Sequence, residues 1–179
     1  MTAMKLEKLV YYSQAWHLVW EDTALFSEHF EAWNKGPVAP ALQNLHRGQY
    51  IVTSWPIGDS GRLSGAEIAT VDSVVGFYGA MSAEQLSSCT HNEAPWIDAR
   101  AGLPDTMAST NLISTDSIRD YYSSKEMDYG LWLQHLEARA AGVRAGRIAT
   151  VSLEEVAEEF GIDLTMTEEE TAEILSAIN

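Results

Sequence analysis

The chain has 179 residues, of which 46% are hydrophobic and six are tryptophan; this is enough for one compact core with an appended segment. Its single cysteine excludes an internal disulfide framework and is typical of a reducing cytoplasm. No apolar run is long enough to cross a bilayer, and the N-terminal residues lack the layout of a signal peptide. We therefore expect a cytoplasmic protein with no membrane partner.

The net charge of −15 arises from 26 acidic and 11 basic residues. Proteins that bind nucleic acids normally present a basic surface that displaces counterions from phosphates, so this charge argues against a nucleic-acid partner. Acidic chains attract basic proteins, although solubility alone explains the charge equally well.

Apolar and aromatic residues recur at helical spacing from Leu6 to Trp20 and predict a first helix that ends near residues 21–22. The charged side chains of Lys5, Glu7 and Lys8 lie off the apolar stripe of this helix, where we expect solvent. The stripe also carries His17, and an imidazole at such a position is expected to be hydrogen-bonded and structural.

The next segment predicts the only β element of the fold. Alternation over Phe30–Trp33 suits a short strand, Gly36-Pro37 a turn, and Val38–His46 a short helix after that turn. A second short strand is predicted over Gln49–Ser54, which makes the β element two-stranded. The composition of Pro56–Gly65 is that of a surface loop.

Helical spacing returns in the second half of the chain, and capping signals mark several of the helix starts. Ser82 and Gln85 have the spacing of a capping box, and Ser114 or Thr115 can cap a later helix. Helices are predicted at about residues 68–78, 83–89, 115–122 and 129–142. A further short helix is predicted to begin after residue 92 or 94, with Pro95 in its first turn.

The composition changes near residue 146. Residues 146–179 contain nine acidic residues and one basic residue, a net charge of −8. Capping boxes at Ser152/Glu155 and Thr167/Glu170 predict two short helices with thin apolar stripes. We therefore predict a mainly α fold: a compact helical domain with one two-stranded β element at residues 1–145, and an acidic helical C-terminal extension at 146–179.

The segment SCTHNEAPWIDAR (Ser88–Arg100) is the best candidate for a catalytic site, because it holds the only cysteine beside a histidine and a carboxylate. Residues two apart on a helix point to nearly opposite sides, which argues against a thiolate–imidazole pair of Cys89 and His91. His91 and Glu93 are close enough in sequence for a local side-chain cap, and an enzyme built on them stays a competing hypothesis. The five histidines lack metal-ligand spacing, so we expect no metal, no cofactor and no catalysis.

Four segments, in this order and spacing, resemble the Panacea domain, the SocA-like antitoxin family. They are KLEKLVYYSQAWH (Lys5–His17), LFSEHFEAWNKGPVAP (Leu25–Pro40), MSAEQLSSCTHNEAPWIDAR (Met81–Arg100) and ISTDSIRDYYSS (Ile113–Ser124). The residues that carry the resemblance are Lys5, Leu9, Tyr12, Gln14, Trp16, Ala32, Trp33, Gly36, Pro37, Val38, Thr90, His91, Glu93, Pro95, Trp96 and Arg100.

The resemblance implies an antitoxin that neutralises a cognate protein toxin by direct binding, with the toxin encoded by an adjacent gene. The family neutralises structurally diverse toxins, and the resemblance brings no catalytic residues with it. Three alternatives stay open: an adaptor that delivers the toxin to a cellular protease, a phage-associated protein-interaction module, and a DNA-binding autorepressor. The shortage of basic residues makes the DNA-binding autorepressor the least favoured of the three.

The resemblance covers about residues 1–124 and does not include the acidic extension, which is the predicted site of toxin contact. Its first helix supplies the candidates Glu154, Glu155, Glu158, Glu159 and Phe160. The alternatives are a helical hairpin packed on the domain and a labile tail. The motif tryptophans Trp16, Trp33 and Trp96 are instead expected to build the core.

Overall fold

A computed structural model describes residues 1–53, 58–125 and 129–148 of the chain. Most of these residues are helical, which confirms the mainly α fold class. The helices are α1 (Ala3–Trp20), α2 (Pro40–Leu45), α3 (Gly65–Tyr78), α4 (Ala83–His91), α5 (Ala94–Arg100), α6 (Thr115–Ser124) and α7 (Tyr129–Arg144), with a 3₁₀ turn at Ser60–Arg62.

A small antiparallel sheet has the strand order β2-β1-β3, formed by β2 (Gly36–Val38), β1 (Phe30–Trp33) and β3 (Leu112–Ile113). The prediction of a second strand at residues 49–54 is wrong, because Ile51 forms only an isolated bridge with Thr2. The second strand instead begins at the Gly-Pro pair that was predicted to be a turn.

The reason for this difference is local. Trp33 pairs with Gly36, so only two residues connect the strands, and Gly36 follows this tight turn with a φ of +100°. Because β2 lies at an edge of the sheet, Pro37 removes no hydrogen bond that an inner strand would need.

Helix α1 lies at the centre of the fold and packs against α3, α4, α6 and β2. Its buried aromatic residues meet the rest of the core in specific ring pairs: Tyr12 stacks on Tyr78 with ring centroids 4.1 Å apart, and Trp16 meets Tyr122 edge-on at 5.3 Å. His17 lies 3.0 Å from the hydroxyl of Thr70 through Nδ1, which is the structural role expected for it.

The expectation that Glu7 and Lys8 face solvent is wrong. They are 2% and 1% exposed, whereas the apolar neighbours Leu6 and Val10 are only half-buried. The apolar stripe therefore does not mark the inward side at the N-terminal end of α1. The side of α1 that packs against β2 and α2 carries the charged residues, because their side chains have the buried polar partners described below.

Capping side chains set the start of the later helices. Ser82 and Gln85 form the predicted capping box of α4, and Ser114 caps α6. Helix α4 continues two residues beyond its predicted end, to His91. The N-cap of α5 is Glu93 and not Asn92 or Ala94, and its side chain makes no capping hydrogen bond.

Helix α7 packs along α3. His135 of α7 stacks on the ring of Trp20 with centroids 3.8 Å apart, and burial lowers the pKa of His135 to about 4. Among the residues that the structure describes, no helix has the length and hydropathy needed to cross a membrane.

Candidate functional site

The buried carboxylate of Glu7 joins α1 to the start of α2. Its Oε2 accepts a hydrogen bond from the backbone N–H of Ala39 at 3.0 Å, and its Oε1 lies 2.8 Å from Nε2 of His46. Burial raises the pKa of Glu7, while the Ala39 N–H and His46 act in the opposite direction. A charged group is tolerated here because both carboxylate oxygens have polar partners.

Lys8 forms a second buried contact with the hairpin. Its Nζ donates to the carbonyl of Pro37 at 2.8 Å, and burial lowers its pKa to about 7. A Cβ atom at Gly36 would lie 2.5 Å from Oγ1 of Thr90 and 2.7 Å from Cε of Lys8. The family-motif residues Gly36, Pro37 and Thr90 thus meet around this one amine, and only glycine leaves room for it.

Glu93 occupies a third buried polar position, between α1 and α6. The hydroxyl of Tyr12 donates to its Oε1 at 3.1 Å, the hydroxyl of Tyr122 donates to its Oε2 at 2.6 Å, and Nζ of Lys125 lies 3.7 Å from Oε1. Burial raises the pKa of Glu93, and the hydrogen bond from Tyr122 is the largest effect opposing it. This carboxylate ties together three helices that are distant in sequence.

Arg100 ends α5 and is 2% exposed. Its guanidinium donates to the carbonyls of Ala32 at 3.0 Å, Met107 at 2.7 Å and Pro104, and it lies 5.1 Å from the ring centroid of Trp96. Arg100 fastens α5 to β1 and to the loop before β3.

Other motif residues also bind backbone groups or fill the core. Lys5 donates to the carbonyl of Gly79 at 2.6 Å, and the side-chain amide of Gln14 bonds the backbone of residues 25–26. Trp96 donates through its indole N–H to the carbonyl of Trp33 at 2.9 Å. Five further motif residues have buried side chains: Leu9, Trp16, Ala32, Val38 and Pro95.

The catalytic candidates of the α4–α5 corner do not form a reactive pair. His91 stacks on Trp96 with ring centroids 4.0 Å apart, and its Nδ1 lies 3.6 Å from a carboxylate oxygen of Asp105. Burial lowers the pKa of His91. Glu93 binds the two tyrosines, so the local cap of His91 and Glu93 is not formed. In residues 1–53, 58–125 and 129–148, no cluster of three or more His, Cys, Asp or Glu could hold a metal ion.

Two surface depressions flank the N-terminal half of α1. On the side of the hairpin, a cleft of about 370 Å³ is lined by Lys8, Trp33, Lys35, Tyr50 and Glu84, among others. Trp33 is half-buried there, so of the three motif tryptophans expected in the core only Trp16 and Trp96 are buried.

On the other side of α1 lie two adjoining apolar depressions of about 350 and 230 Å³. Val10 and Phe26 line both of them, so we treat them as one feature and call it the α1 groove. It is defined by Leu6, Val10, Phe26, Leu45, Leu63 and Val75.

The buried charges were missed by the sequence analysis, although a signal for two of them was present. Glu7 and Lys8 lie inside the motif segment Lys5–His17, and this membership, unlike helical periodicity, does not mark them as solvent-facing. Tyr122 likewise lies in the motif segment Ile113–Ser124, whereas His46 lies outside all four segments. The toxin-contact candidates Glu154, Glu155, Glu158, Glu159 and Phe160 lie outside the described residues.

The family model described as antitoxin SocA-like, Panacea domain, matches residues 6–97, which is more than half of the chain. The protein therefore belongs to the SocA-like Panacea antitoxin family. The matched range runs from α1 into α5; Arg100 and the segment 113–124, which also carry the resemblance, follow it. Comparisons with curated proteins and with solved structures found no match.

Proposed function

We propose that this protein is an antitoxin that neutralises a cognate protein toxin by direct, stoichiometric binding in the cytoplasm, and that the adjacent gene encodes the toxin. The observation that carries the proposal is the family match over residues 6–97. The family implies a toxin partner in general, and the mode of neutralisation and the source of the toxin are our proposal.

The engagement of four buried charged groups supports binding over catalysis. Glu7, Lys8, Glu93 and Arg100 are each at most 3% exposed, and each binds groups of the same chain. A catalytic acid, base or nucleophile has to reach its substrate. These four side chains instead join elements of the fold to one another, which is a scaffold role that an interaction domain requires.

The charge of the chain supports a basic toxin. A protein of net charge −15 attracts basic surfaces, and long-range attraction acts mainly on the association rate. We propose that Glu154, Glu155, Glu158 and Glu159 contribute to this attraction and that Phe160 adds an apolar contact. Increasing the salt from about 0.05 to about 0.5 M should slow association severalfold; association that is insensitive to salt would contradict the electrostatic role.

The test is co-expression with the product of the adjacent reading frame, followed by titration of the purified proteins. We expect that product to arrest growth alone and to be tolerated together with this chain. Neutralisation should be complete only when the two proteins are present at about equal molar amounts, because a binding inhibitor is consumed by its target.

Two outcomes would overturn the proposal. A non-toxic neighbour would remove the partner, and full neutralisation by a small substoichiometric amount of the chain would indicate turnover. The variant His91→Ala separates these cases further: if it folds and still neutralises, the histidine performs no catalysis, whereas a folded but inactive variant would revive the enzyme hypothesis.

A further inference from the structure

The α1 groove is an apolar surface that is open to solvent in the described residues. Val75 is 46% exposed, Leu63 36% and Leu45 54%, while Leu6, Val10 and Phe26 between them are half-buried. Scattered apolar residues are normal on a protein surface, but a contiguous apolar depression of this kind marks a site of interaction.

The side chains of the groove stand at helical spacing on both sides. Leu6 and Val10 are four residues apart on α1, and Val71 and Val75 are four residues apart on α3; all four line the same depression. Ridges at this spacing accept the i, i+3, i+4 and i+7 side chains of another helix.

Charge decides between two occupants of the groove. The charged groups among its described lining residues are the exposed carboxylate of Glu28 and the N-terminal amine of Met1, and this amine donates to the carbonyl of Val52 at 3.1 Å. A second copy of this chain would be opposed by the repulsion between two chains of net charge −15. A partner that carries a lysine or arginine beside its apolar stripe has no such penalty.

From these observations we infer that the α1 groove binds the apolar face of a basic amphipathic helix of the toxin, with a Lys or Arg of that helix placed against Glu28. This inference rests on the proposed function, because it names the surface and the toxin element through which neutralisation would occur. It differs from the proposed role of residues 154–160, which concerns the acidic extension.

The chain offers a matched pair of variants for the test. Val75 and Ile97 are both 46% exposed and both lie on helices, but only Val75 lines the groove. Val75→Asn and Ile97→Asn should each leave the melting temperature of the full chain within about 2 °C of the wild type, because neither side chain is part of the core. A clear fall in the melting temperature for Val75→Asn alone would overturn the inference, since it would mean that the groove is already filled in the free protein.

The first binding probe is a helical peptide of about 18 residues, or five turns, with leucine at i, i+3, i+4 and i+7 positions and lysine elsewhere. Wild type and Ile97→Asn should bind it equally, and Val75→Asn should bind about tenfold more weakly, because the valine would be buried in the complex. Equal binding by all three proteins would indicate nonspecific attraction to the acidic chain and would overturn the inference.

The role of Glu28 is tested by Glu28→Gln against Asp98→Asn, which removes an exposed carboxylate outside the groove. We expect Glu28→Gln to weaken binding of the peptide about threefold and to reduce the salt dependence of that binding, as is usual for an exposed ion pair. Equal effects of the two substitutions would contradict the ion pair at Glu28.

The second probe is the product of the adjacent reading frame, and it separates this inference from the proposed function. If wild type neutralises that product and Val75→Asn does so equally well, the groove assignment fails and the antitoxin function stands. If wild type does not neutralise it but the peptide results hold, the antitoxin function fails and the groove remains a helix-binding site. Neutralisation lost only in Val75→Asn supports both.

Discussion

The two sides of α1 differ in a way that reverses the usual order of burial. On one side Glu7 and Lys8 are almost fully buried against the hairpin and α2; on the other side Leu6 and Val10 are only half-buried in the α1 groove. Departures from the local rule of apolar inside and polar outside are expected where a protein has a functional requirement. The comparison therefore separates a side that builds the fold from a side that is available to a partner.

The buried side owes its stability to partners supplied by the backbone. Glu7 receives the N–H of Ala39, Lys8 reaches the carbonyl of Pro37, and Arg100 serves three carbonyls. Charged groups that bind fixed backbone atoms specify the position of the hairpin more narrowly than apolar packing alone would. The motif residues Gly36, Pro37, Thr90 and Arg100 fall on this side.

The groove side contains few motif residues. Leu6, Val10, Leu63 and Val75 are not among the residues that carry the resemblance. If the α1 groove binds the toxin as we propose, one side of α1 serves as the scaffold and the other as the contact surface. The substitutions below test whether one side determines stability while the other does not.

The largest effect is expected at Arg100. The change Arg100→Ala leaves three carbonyls without their donor and removes the cation beside Trp96, so we expect the free energy of unfolding to fall by about 3–5 kcal/mol. Urea denaturation followed by tryptophan fluorescence measures this loss. The exposed Arg47 provides the control, with an expected change below about 0.5 kcal/mol for Arg47→Ala. A loss below about 1 kcal/mol at Arg100 would mean that the buried side does not fasten the hairpin.

Lys8 should make stability depend on pH. Its pKa is about 7 in the folded chain and returns to its ordinary value near 10.5 on unfolding. The unfolded chain therefore binds more protons between these pH values, and the free energy of unfolding should rise from pH 7 to pH 10 by on the order of 3 kcal/mol.

Lys8→Met should abolish this rise, whereas Lys35→Met, at an exposed position, should retain it. Urea denaturation at pH 7, 8, 9 and 10 provides the measurement. If Lys8→Met and wild type showed parallel curves, the amine would not be buried as described.

Gly36 tests the packing around the same amine. Alanine at this position combines a φ of +100° with contacts of 2.5 and 2.7 Å to Thr90 and Lys8, so we expect Gly36→Ala to cost about 2–3 kcal/mol. Gly48 has a φ of +80° but no atom within 4 Å of its would-be Cβ, so Gly48→Ala should cost about 1 kcal/mol from the backbone alone. The difference in urea midpoint isolates the packing contribution, and equal losses would show that the motif glycine is needed only for its backbone conformation.

The sequence was sufficient where the cause of a structure is local. Ser82 and Gln85 are three residues apart, and the capping box that they predict is present. The start of α6 at Ser114 and the strand at Phe30–Trp33 follow from equally short-range signals. These features arise from hydrogen bonds and side-chain patterns within one or two turns of the chain.

The sequence was insufficient where the partner is distant. Glu7 and Lys8 looked solvent-facing because their partners Ala39, His46 and Pro37 lie 29 to 39 residues away. The strand β3 has only two residues and exists because it pairs with β1, about 80 residues earlier. The candidate site could be predicted only to the same extent. The resemblance identified the motif residues, but only the fold shows that Gly36, Pro37 and Thr90 pack around Lys8 on the buried side of α1.

The smallest stability effect is expected on the groove side, where adjacent residues of α1 give the sharpest contrast. Leu9 also lines the groove but is 4% exposed and belongs to the core, whereas Val10 packs against that core and is half-buried. Leu9→Ala should cost about 2–5 kcal/mol through lost burial and a cavity. Val10→Ala should cost less than about 1 kcal/mol, because part of the valine surface is already in water and alanine has the higher helix propensity. Both values come from urea denaturation of the full chain. A loss at Val10 as large as that at Leu9 would mean that the groove side is also part of the core, and a surface that the free protein needs for its own stability is not available to a toxin.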